Sequence, residues 1–256
     1  MFFKKKTTKT EKAFGKIPAY CKYELFMERY RSAAEFISDF HRNRAKLKLL
    51  DVGSGEGYLK FFCDFGQIDW HGIEIWEERF KICQELGYQM HRCNLDTEPL
   101  PFDNESFDVV VGSHVLEHLA NRSFCLQEMG RVLKTGGMLI LGVPIKPIIL
   151  SHLVRFVYRF KPKGNGNTMY AFDIRSIKKL LTHSLSTYGG FEIMDIRGFR
   201  LISARRITNW ENSEGFYKFN TWFGKHFPGL TPEVNLVIRK VGRLSARGQI
   251  QPKAGE

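Results

Sequence analysis

Three glycines beside acidic side chains are the feature of this sequence most suited to chemistry. Gly53, Gly55 and Gly57 follow the apolar run 47–52, which we interpret as a buried strand, and they precede a predicted helix. Glycines at such a bend allow a tight turn and let a ligand approach the backbone. Glu74 ends the next predicted strand, where a carboxylate can accept hydrogen bonds from both hydroxyls of a ribose. The pattern therefore indicates a site for a ligand that contains adenosine.

The spacing of these glycines distinguishes several kinds of nucleotide site. Dinucleotide-binding loops have the pattern GxGxxG, whereas this loop is GxGxG and is followed by Tyr58. This spacing disfavours a nicotinamide oxidoreductase. No Gly-Lys-Ser or Gly-Lys-Thr follows the glycines, which argues against a P-loop. Asp51, just upstream, disfavours a pyrophosphate and suits a ligand that carries an ammonium and a sulfonium.

Further motifs follow in order within residues 45–145. They are Leu100-Pro101-Phe102, Ser106-Phe107-Asp108-Val109-Val110, Leu116-Glu117-His118, and the run from Glu128-Met129-Gly130-Arg131 to Gly136-Gly137. Together with the glycine loop, these motifs resemble the class I S-adenosylmethionine-dependent methyltransferases, especially the small-molecule branch similar to methyltransferase type 11. The resemblance implies methyl transfer as the activity and S-adenosylmethionine as the cofactor.

The same resemblance implies which residues contact the cofactor. Asp51 and the glycine loop would hold its methionine portion, and Glu74 its ribose. Ile75 and Trp76 would flank the adenine. The full implied set is Asp51, Gly53, Ser54, Gly55, Gly57, Glu74, Ile75, Asn94, Leu95, Asp96, Ser113 and His114.

Within this set, the segment after the third predicted strand would bind the edge of the adenine. The family usually places an Asp there, and this chain has Asn94 and Asp96. Either side chain could meet the exocyclic amine. Ser113 and His114, at the tip of the fourth strand, would lie beside the transferable methyl.

Two histidines are candidates for the base that a hydroxyl acceptor requires. They are His114 and His118, because an imidazole titrates near neutral pH. A structural role for either histidine is the alternative. The two also form an HxxEH pattern, which occurs in a class of zinc proteases. The flanking motifs explain both residues without a metal, and we expect no metal site.

Predicted strands and helices alternate at short spacing along most of the chain. The predicted helices are 22–42, 56–64, 77–86, 123–133 and 173–185, and the predicted strands are 47–52, 68–75, 88–92, 107–112, 138–143, 191–196 and 233–241. Such alternation is typical of a parallel sheet with helices on both faces. The predicted fold class is therefore α/β: a Rossmann-like, doubly wound, mostly parallel seven-stranded sheet with an antiparallel edge strand.

The sequence also predicts how the chain is divided. We expect a disordered basic N-terminus at 1–21, a single methyltransferase domain at 22–242 and a disordered tail at 243–256. Within the domain, the core is 45–145 and an insertion that forms the acceptor site is about 146–172. Tyr20 and Tyr23 either cover the cofactor or pack in the core.

The charge is distributed unevenly, and this bears on the acceptor. Residues 1–50 have a net charge of +8, residues 51–145 of −8, and residues 146–256 of +12. Basic flanks indicate an anionic partner such as a phosphorylated substrate, a nucleic acid or a membrane surface, or else a solvated basic surface. The segment 147–161 is apolar and basic, so as a helix it would rest on an anionic membrane, cover an apolar acceptor, or pack as a lid.

We therefore expect a small-molecule acceptor, anionic or lipid-linked, such as a glycan, a quinone or a polyketide-like molecule. Nucleic-acid bases are disfavoured, because Gly112-Ser113-His114-Val115 replaces the Asn/Asp-Pro-Pro-aromatic tetrad and neither Cys93 nor Cys125 follows a proline. RNA ribose methylation and a catalytically inactive, cofactor-binding regulator remain alternatives. The cysteines form no CxxC pair, and neither a signal peptide nor an apolar stretch of about 18 residues is found. These features favour the cytoplasm, with peripheral membrane contact through 147–161.

Overall fold

The computed structural model describes residues 24–63, 65–146, 172–199 and 214–242. The strands in these ranges are β1 (Lys46–Val52), β2 (Gln67–Ile73), β3 (Gln89–His91), β4 (Phe107–Ser113), β5 (Leu133–Pro144), β6 (Gly190–Phe199) and β7 (Glu233–Val241). The α-helices are α1 (Glu24–His41), α2 (Glu77–Glu85), α3 (Arg122–Val132), α4 (Ile174–Leu185) and α5 (Glu214–His226). Short 3-10 helices lie at Tyr58–Phe62, Leu116–His118, Ser186–Tyr188 and Pro228–Leu230.

The strands form one seven-stranded sheet in the order β3-β2-β1-β4-β5-β7-β6. The neighbours from β3 to β5 are parallel, whereas β7 is antiparallel to both β5 and β6. Six strands therefore run in one direction, and the single opposed strand lies next to the edge strand β6. The predicted fold class is confirmed, with the antiparallel pair β6–β7 at this end of the sheet.

The central strands are buried on both faces because their sequences are unbroken apolar runs. Leu50, Val110 and Leu139 belong to the hydrophobic core on one side of the sheet. Their neighbours Leu49 and Val109 belong to the core on the other side. This alternation leaves the polar side chains of these strands at the strand ends, where a ligand can reach them.

The Glu-x-x-Arg motif has a structural role in the loop that carries Leu100 and Phe102. The Arg131 guanidinium donates hydrogen bonds to the Leu100 carbonyl at 2.9 Å and to the Phe102 carbonyl at 2.7 Å. The Glu128 carboxylate accepts a hydrogen bond from the Leu100 amide at 2.8 Å and forms an ion pair with Arg131 at 2.7 Å. Two distant motifs are thereby joined, and this explains why they occur together without a role for either in chemistry.

One predicted helix is wrong, and one observed helix was not predicted. The segment 56–64 forms only the short 3-10 helix Tyr58–Phe62. Gly57, at the residue before this helix, has φ of 68° and its position provides no side-chain cap, so no α-helix starts there. Helix α5 was missed because it exposes large aromatic residues, which conceals the usual apolar stripe.

Several predictions concern residues that lie outside the described ranges. They are the disordered N-terminus, Tyr20 and Tyr23, the helix at 147–161 and the C-terminal tail. The remaining predicted helices are present, and α4 begins with the expected cap, because the Asp173 side chain accepts hydrogen bonds from the Arg175 and Ser176 amides. Among the described helices, none combines the length and hydrophobicity needed to cross a membrane.

Candidate functional site

The glycine loop lies at the carboxyl end of β1 and is held against the end of β2. Gly53, Gly55 and Gly57 have φ of 68°, 55° and 68°, in the left-handed region that favours glycine. The amides of Gly53 and Ser54 both donate to the Ile73 carbonyl, at 2.9 and 3.1 Å. The loop is thus fixed by backbone contacts before any ligand binds.

The three glycines differ in what surrounds them. A Cβ on Gly57 would lie 2.8 Å from the Leu86 side chain, and one on Gly53 would lie 3.0 Å from Val115. A Cβ on Gly55 would meet nothing within 4 Å. Two of the glycines therefore permit close packing, whereas the space beside Gly55 holds no atom of the described residues within 4 Å of that Cβ.

Glu74 lies against this loop, as the sequence predicted. It is 6% exposed, and its carboxylate accepts hydrogen bonds from the Gly55 amide at 3.0 Å, the Ile75 amide at 2.8 Å and the Trp76 amide at 3.0 Å. A carboxylate has about four acceptor positions, so it keeps the capacity to accept from a ligand hydroxyl. Hydrogen bonds from three amides fix its orientation.

Asp51 is a buried carboxylate beneath the same loop. Burial raises the pKa of Asp51, a hydrogen bond from the Tyr88 hydroxyl lowers it, and the nearby charge of Glu74 raises it, so that the pKa lies at about 7. That hydrogen bond is 3.4 Å long. Because only water or a cation could compensate this charge, the site favours a positively charged ligand group.

Beside the loop, two large apolar side chains are exposed. Ile75 is 56% exposed and Trp76 is 67% exposed, although both directly follow the buried Glu74. Exposed apolar surface of this kind is suited to contact with a flat ring. Their position next to Glu74 agrees with the predicted adenine contact, which stays a prediction.

The predicted adenine-edge residues form a turn after β3. The Asn94 side-chain oxygen accepts a hydrogen bond from the Asp96 amide at 3.1 Å, and the Asp96 carboxylate accepts one from the Asn121 amide at 2.7 Å. Leu95 packs against the hydrophobic core. Asp96 thus connects this turn to the start of α3, and the choice between Asn94 and Asp96 stays open.

At the tip of β4, His114 lies between two carboxylates. Its Nδ1 is 2.9 Å from Oε1 of Glu117, and its Nε2 is 3.5 Å from Oε2 of Glu233 at the start of β7. Glu233 also forms an ion pair at 2.8 Å with Arg29 of α1. Four ionisable groups from four parts of the chain therefore meet beside the predicted methyl position.

The two carboxylates of this cluster favour the protonated form of His114. Burial alone lowers the pKa of His114, but hydrogen bonds to Glu117 and Glu233 outweigh it, and the pKa lies above its ordinary value. The backbone of His114 has φ of 57°, which is uncommon outside glycine, and its amide donates to the Gly142 carbonyl at 2.8 Å. The surrounding fold thus holds the backbone of His114 in a strained conformation.

The other predicted residues near this cluster differ in their surroundings. Ser113 is half-buried, and its hydroxyl has no hydrogen-bond partner among the described residues. His118 is exposed, and its amide closes a turn with the Val115 carbonyl at 3.1 Å. His114 precedes the short 3-10 helix Leu116–His118, so the two histidines do not share a helix face. No metal-binding group of three or more His, Cys, Asp or Glu is found in the described part of the chain.

Sequence analysis missed two members of this cluster. Arg29 lies on α1 and Glu233 starts the last strand, so both are far in sequence from His114. Neither stands in a motif, and only the order of the strands brings them to the site. Glu117 was visible as part of Leu116-Glu117-His118, but nothing local indicated that it contacts His114.

Comparison with known proteins agrees with this geometry. Residues 50–141, from the glycine loop to β5, match the family model described as a methyltransferase domain. The sheet and the glycine-loop site have a Rossmann-like methyltransferase fold, and residues 50–141 are similar to a methyltransferase domain. The resemblance drawn from the sequence motifs is therefore confirmed.

Individual relatives support the same assignment. The uncharacterized methyltransferase YcgJ of Bacillus subtilis is 30% identical over 124 residues, which cover 44% of this chain and 49% of that protein. The ubiquinone/menaquinone biosynthesis C-methyltransferase UbiE of Vibrio campbellii is 28% identical over 159 residues, covering 56% of this chain and 60% of that protein. The chain therefore spans about half to three-fifths of the length of these curated relatives.

Solved structures show the likeness of fold over more of the chain. The crystal structure of an S-adenosylmethionine-dependent methyltransferase from Mesorhizobium loti has a TM-score of 0.54 and 15% identity. The match covers 82% of this chain and 99% of that one. At this identity the likeness concerns the fold alone.

Comparing Gly55→Ala with Gly136→Ala should separate an effect on cofactor binding from an effect on folding stability. Both glycines have positive φ, 55° and 80°, and a Cβ on either would meet nothing within 4 Å. Each variant should therefore lose about 1–2 kcal/mol of unfolding free energy. Only Gly55→Ala should weaken the binding of S-adenosylmethionine, by about tenfold or more. Gly136→Ala should leave this affinity unchanged, because Gly136 lies at the opposite edge of the sheet. Calorimetry and thermal melts measure both effects, and equal affinities in the two variants would contradict the role of the open space.

Replacing Asp51 with Asn should stabilise the free protein and weaken the binding of the cofactor. The pKa of Asp51 is about 7 in the folded protein, compared with an ordinary value of 3.8, so the folded protein favours the protonated carboxyl. The contribution of this group to folding stability is therefore fully present below pH 4 and is lost as the pH rises through 7. Above pH 7 the free energy of unfolding of the Asn variant should be about 1–2 kcal/mol higher than that of the parent, and near pH 4 the two values should be similar.

Thermal melts at pH 4.5 and pH 8, with calorimetry of S-adenosylmethionine binding, test both parts. Tyr88→Phe keeps the carboxylate but removes the hydrogen bond that lowers its pKa, so at pH 8 it should weaken binding less than Asp51→Asn does. An Asn variant that binds as tightly as the parent would show that Asp51 does not hold a cationic group.

Proposed function

We propose that this protein transfers a methyl group from S-adenosylmethionine to a small, apolar or lipid-linked acceptor. The observation that carries the proposal is the pairing of Glu74 with Gly55, where a fixed carboxylate borders open space. This pairing lies within residues 50–141, the segment that matches a methyltransferase domain.

The residues of the site fit this cofactor in chemistry and position. Asp51 would attract the ammonium of its methionine portion, and Glu74 would accept hydrogen bonds from the ribose hydroxyls. Ile75 and Trp76 offer exposed apolar surface to the adenine. When bound, S-adenosylmethionine supplies a methyl carbon that its sulfonium has made electrophilic. The protein then needs to align the acceptor and exclude water.

We assign His114 the removal of a proton from the acceptor. Glu117 binds Nδ1 at 2.9 Å and thereby orients the ring, whereas Nε2 has only the longer 3.5 Å contact with Glu233. Nε2 is buried and faces Glu233, so an acceptor hydroxyl would meet this nitrogen by taking the place of the Glu233 carboxylate. Because His114 must first be deprotonated to act as a base, the rate should rise with pH through the pKa of His114.

The choice of an apolar acceptor is supported by the relatives and the sequence. Several aligned proteins are ubiquinone/menaquinone biosynthesis C-methyltransferases or a demethylmenaquinone methyltransferase. Strand β5 ends at the same edge of the sheet as β4, whose tip carries His114, and the apolar and basic segment 147–161 comes after β5 in the sequence. A quinone-like ring with an ionisable hydroxyl would meet both requirements.

Transfer of labelled methyl from S-adenosylmethionine to cell extracts tests the proposal. We expect label in a lipid-soluble product with the parent protein and about background label with Asp51→Asn. Label confined to polar products would overturn the apolar acceptor while leaving the methyltransferase activity standing. Binding of the cofactor with no transfer to any extract would instead favour a regulator.

Replacing Glu117 with Gln should move the pH dependence of transfer. The hydrogen bond from Glu117 raises the pKa of His114 against the effect of burial, so its loss should lower that pKa. The rising limb of kcat against pH should therefore shift to lower pH, with a lower plateau because the base is weaker. Glu85→Gln, at the exposed end of α2, is the control and should leave the limb in place. An unmoved limb in Glu117→Gln would contradict the assignment of His114 as the base.

A further inference from the structure

Helix α5 presents large aromatic side chains to solvent. Phe219 is 47% exposed, Trp222 is 52% exposed, and Phe227, just beyond the helix, is 46% exposed. Rings of this size are normally covered in a folded protein. With Phe223 and His226 they form what we call the aromatic row. The row lies far in sequence from the glycine loop and takes no part in the site described above.

The residues of the row are neighbours in space and share one side of the helix. The ring centroids of Phe219 and Trp222 are 6.1 Å apart, those of Trp222 and His226 4.9 Å, and those of Phe223 and Phe227 5.1 Å. Spacings of three and four residues place them on one face. The row is therefore one continuous surface.

The opposite side of α5 is fixed to the sheet. Asn220 is fully buried, and a Cβ on Gly224 would collide with the Gly198 carbonyl of β6. The helix thus cannot rotate to bury its aromatic side without losing this contact. Exposure of the row follows from the packing of the helix on β6.

After its first residue, Glu214, helix α5 carries only positively charged lysines. Lys218 and Lys225 are exposed on α5, and residues 215–226 contain no Asp or Glu. Residues 146–256 as a whole have a net charge of +12. An aromatic face flanked by lysines is the pattern of helices that lie in the headgroup region of anionic membranes.

We propose that the aromatic row docks the protein on an anionic lipid surface. Trp222 and Phe219 would enter the headgroup region, while Lys218 and Lys225 contact lipid phosphates. A second copy of the chain fits this surface less well, because pairing two such helices would bring lysines of both copies together. None of the residues of the row belongs to the segment 147–161.

Vesicle flotation with the full chain tests the proposal. The parent protein should bind vesicles that contain phosphatidylglycerol and bind phosphatidylcholine vesicles weakly, with binding to the former reduced by salt. Trp222→Ser should weaken binding about tenfold, because it removes apolar surface that the lipid would cover. Lys225→Gln should weaken binding only to the anionic vesicles. Met194→Ser, which changes a side chain on β6 that is 55% exposed, is the control and should bind as the parent does.

Two results would overturn this inference. One is a parent protein that does not float with the anionic vesicles. The other is a Trp222→Ser variant that floats as well as the parent, with circular dichroism showing that both are folded. Analytical sedimentation tests whether the row instead binds a second copy of the chain. That alternative would be supported if the parent protein does not bind vesicles and forms a dimer that Trp222→Ser abolishes.

Discussion

The carboxylate of Glu74 holds together the two pieces of backbone on which the candidate site depends. It accepts hydrogen bonds from the Gly55 amide of the loop and from two amides after β2. Left-handed glycines alone would leave the loop free to adopt several shapes. The buried acid selects one of them, in which no described atom lies within 4 Å of a Cβ on Gly55.

The polar groups of the site work against the stability of the fold around them. Asp51 is buried with a single weak hydrogen bond from Tyr88, and the hydroxyl of Ser113 has none among the described residues. His114 adopts a backbone conformation that is strained for a residue with a side chain. Unfavourable features of this kind gather at sites where a ligand or a reaction supplies the compensation.

The sequence predicted those parts of the molecule that short stretches of chain determine. The glycine loop, Glu74 and the alternating strands could be recognised because their partners lie within one strand-helix-strand unit. The segment 56–64 was predicted wrongly, since Gly57 prevents the helix that the apolar residues favour. Glu233 and Arg29 could not have been assigned to the site, because only the strand order of the sheet brings them to His114. The same limit applies to α5, whose outward aromatic residues differ from the usual pattern.

The reversed direction of β7 has a consequence for how the protein is made. Because β7 opposes its neighbours, its first residue, Glu233, lies at the edge of the sheet where His114 stands. The cluster at His114 therefore joins the first described helix to the last described strand. A nascent chain that has produced residues 50–141 holds the whole glycine loop but lacks one of the two carboxylates around His114. The residues proposed to hold the cofactor are therefore all synthesised well before Glu233, which lies beside His114.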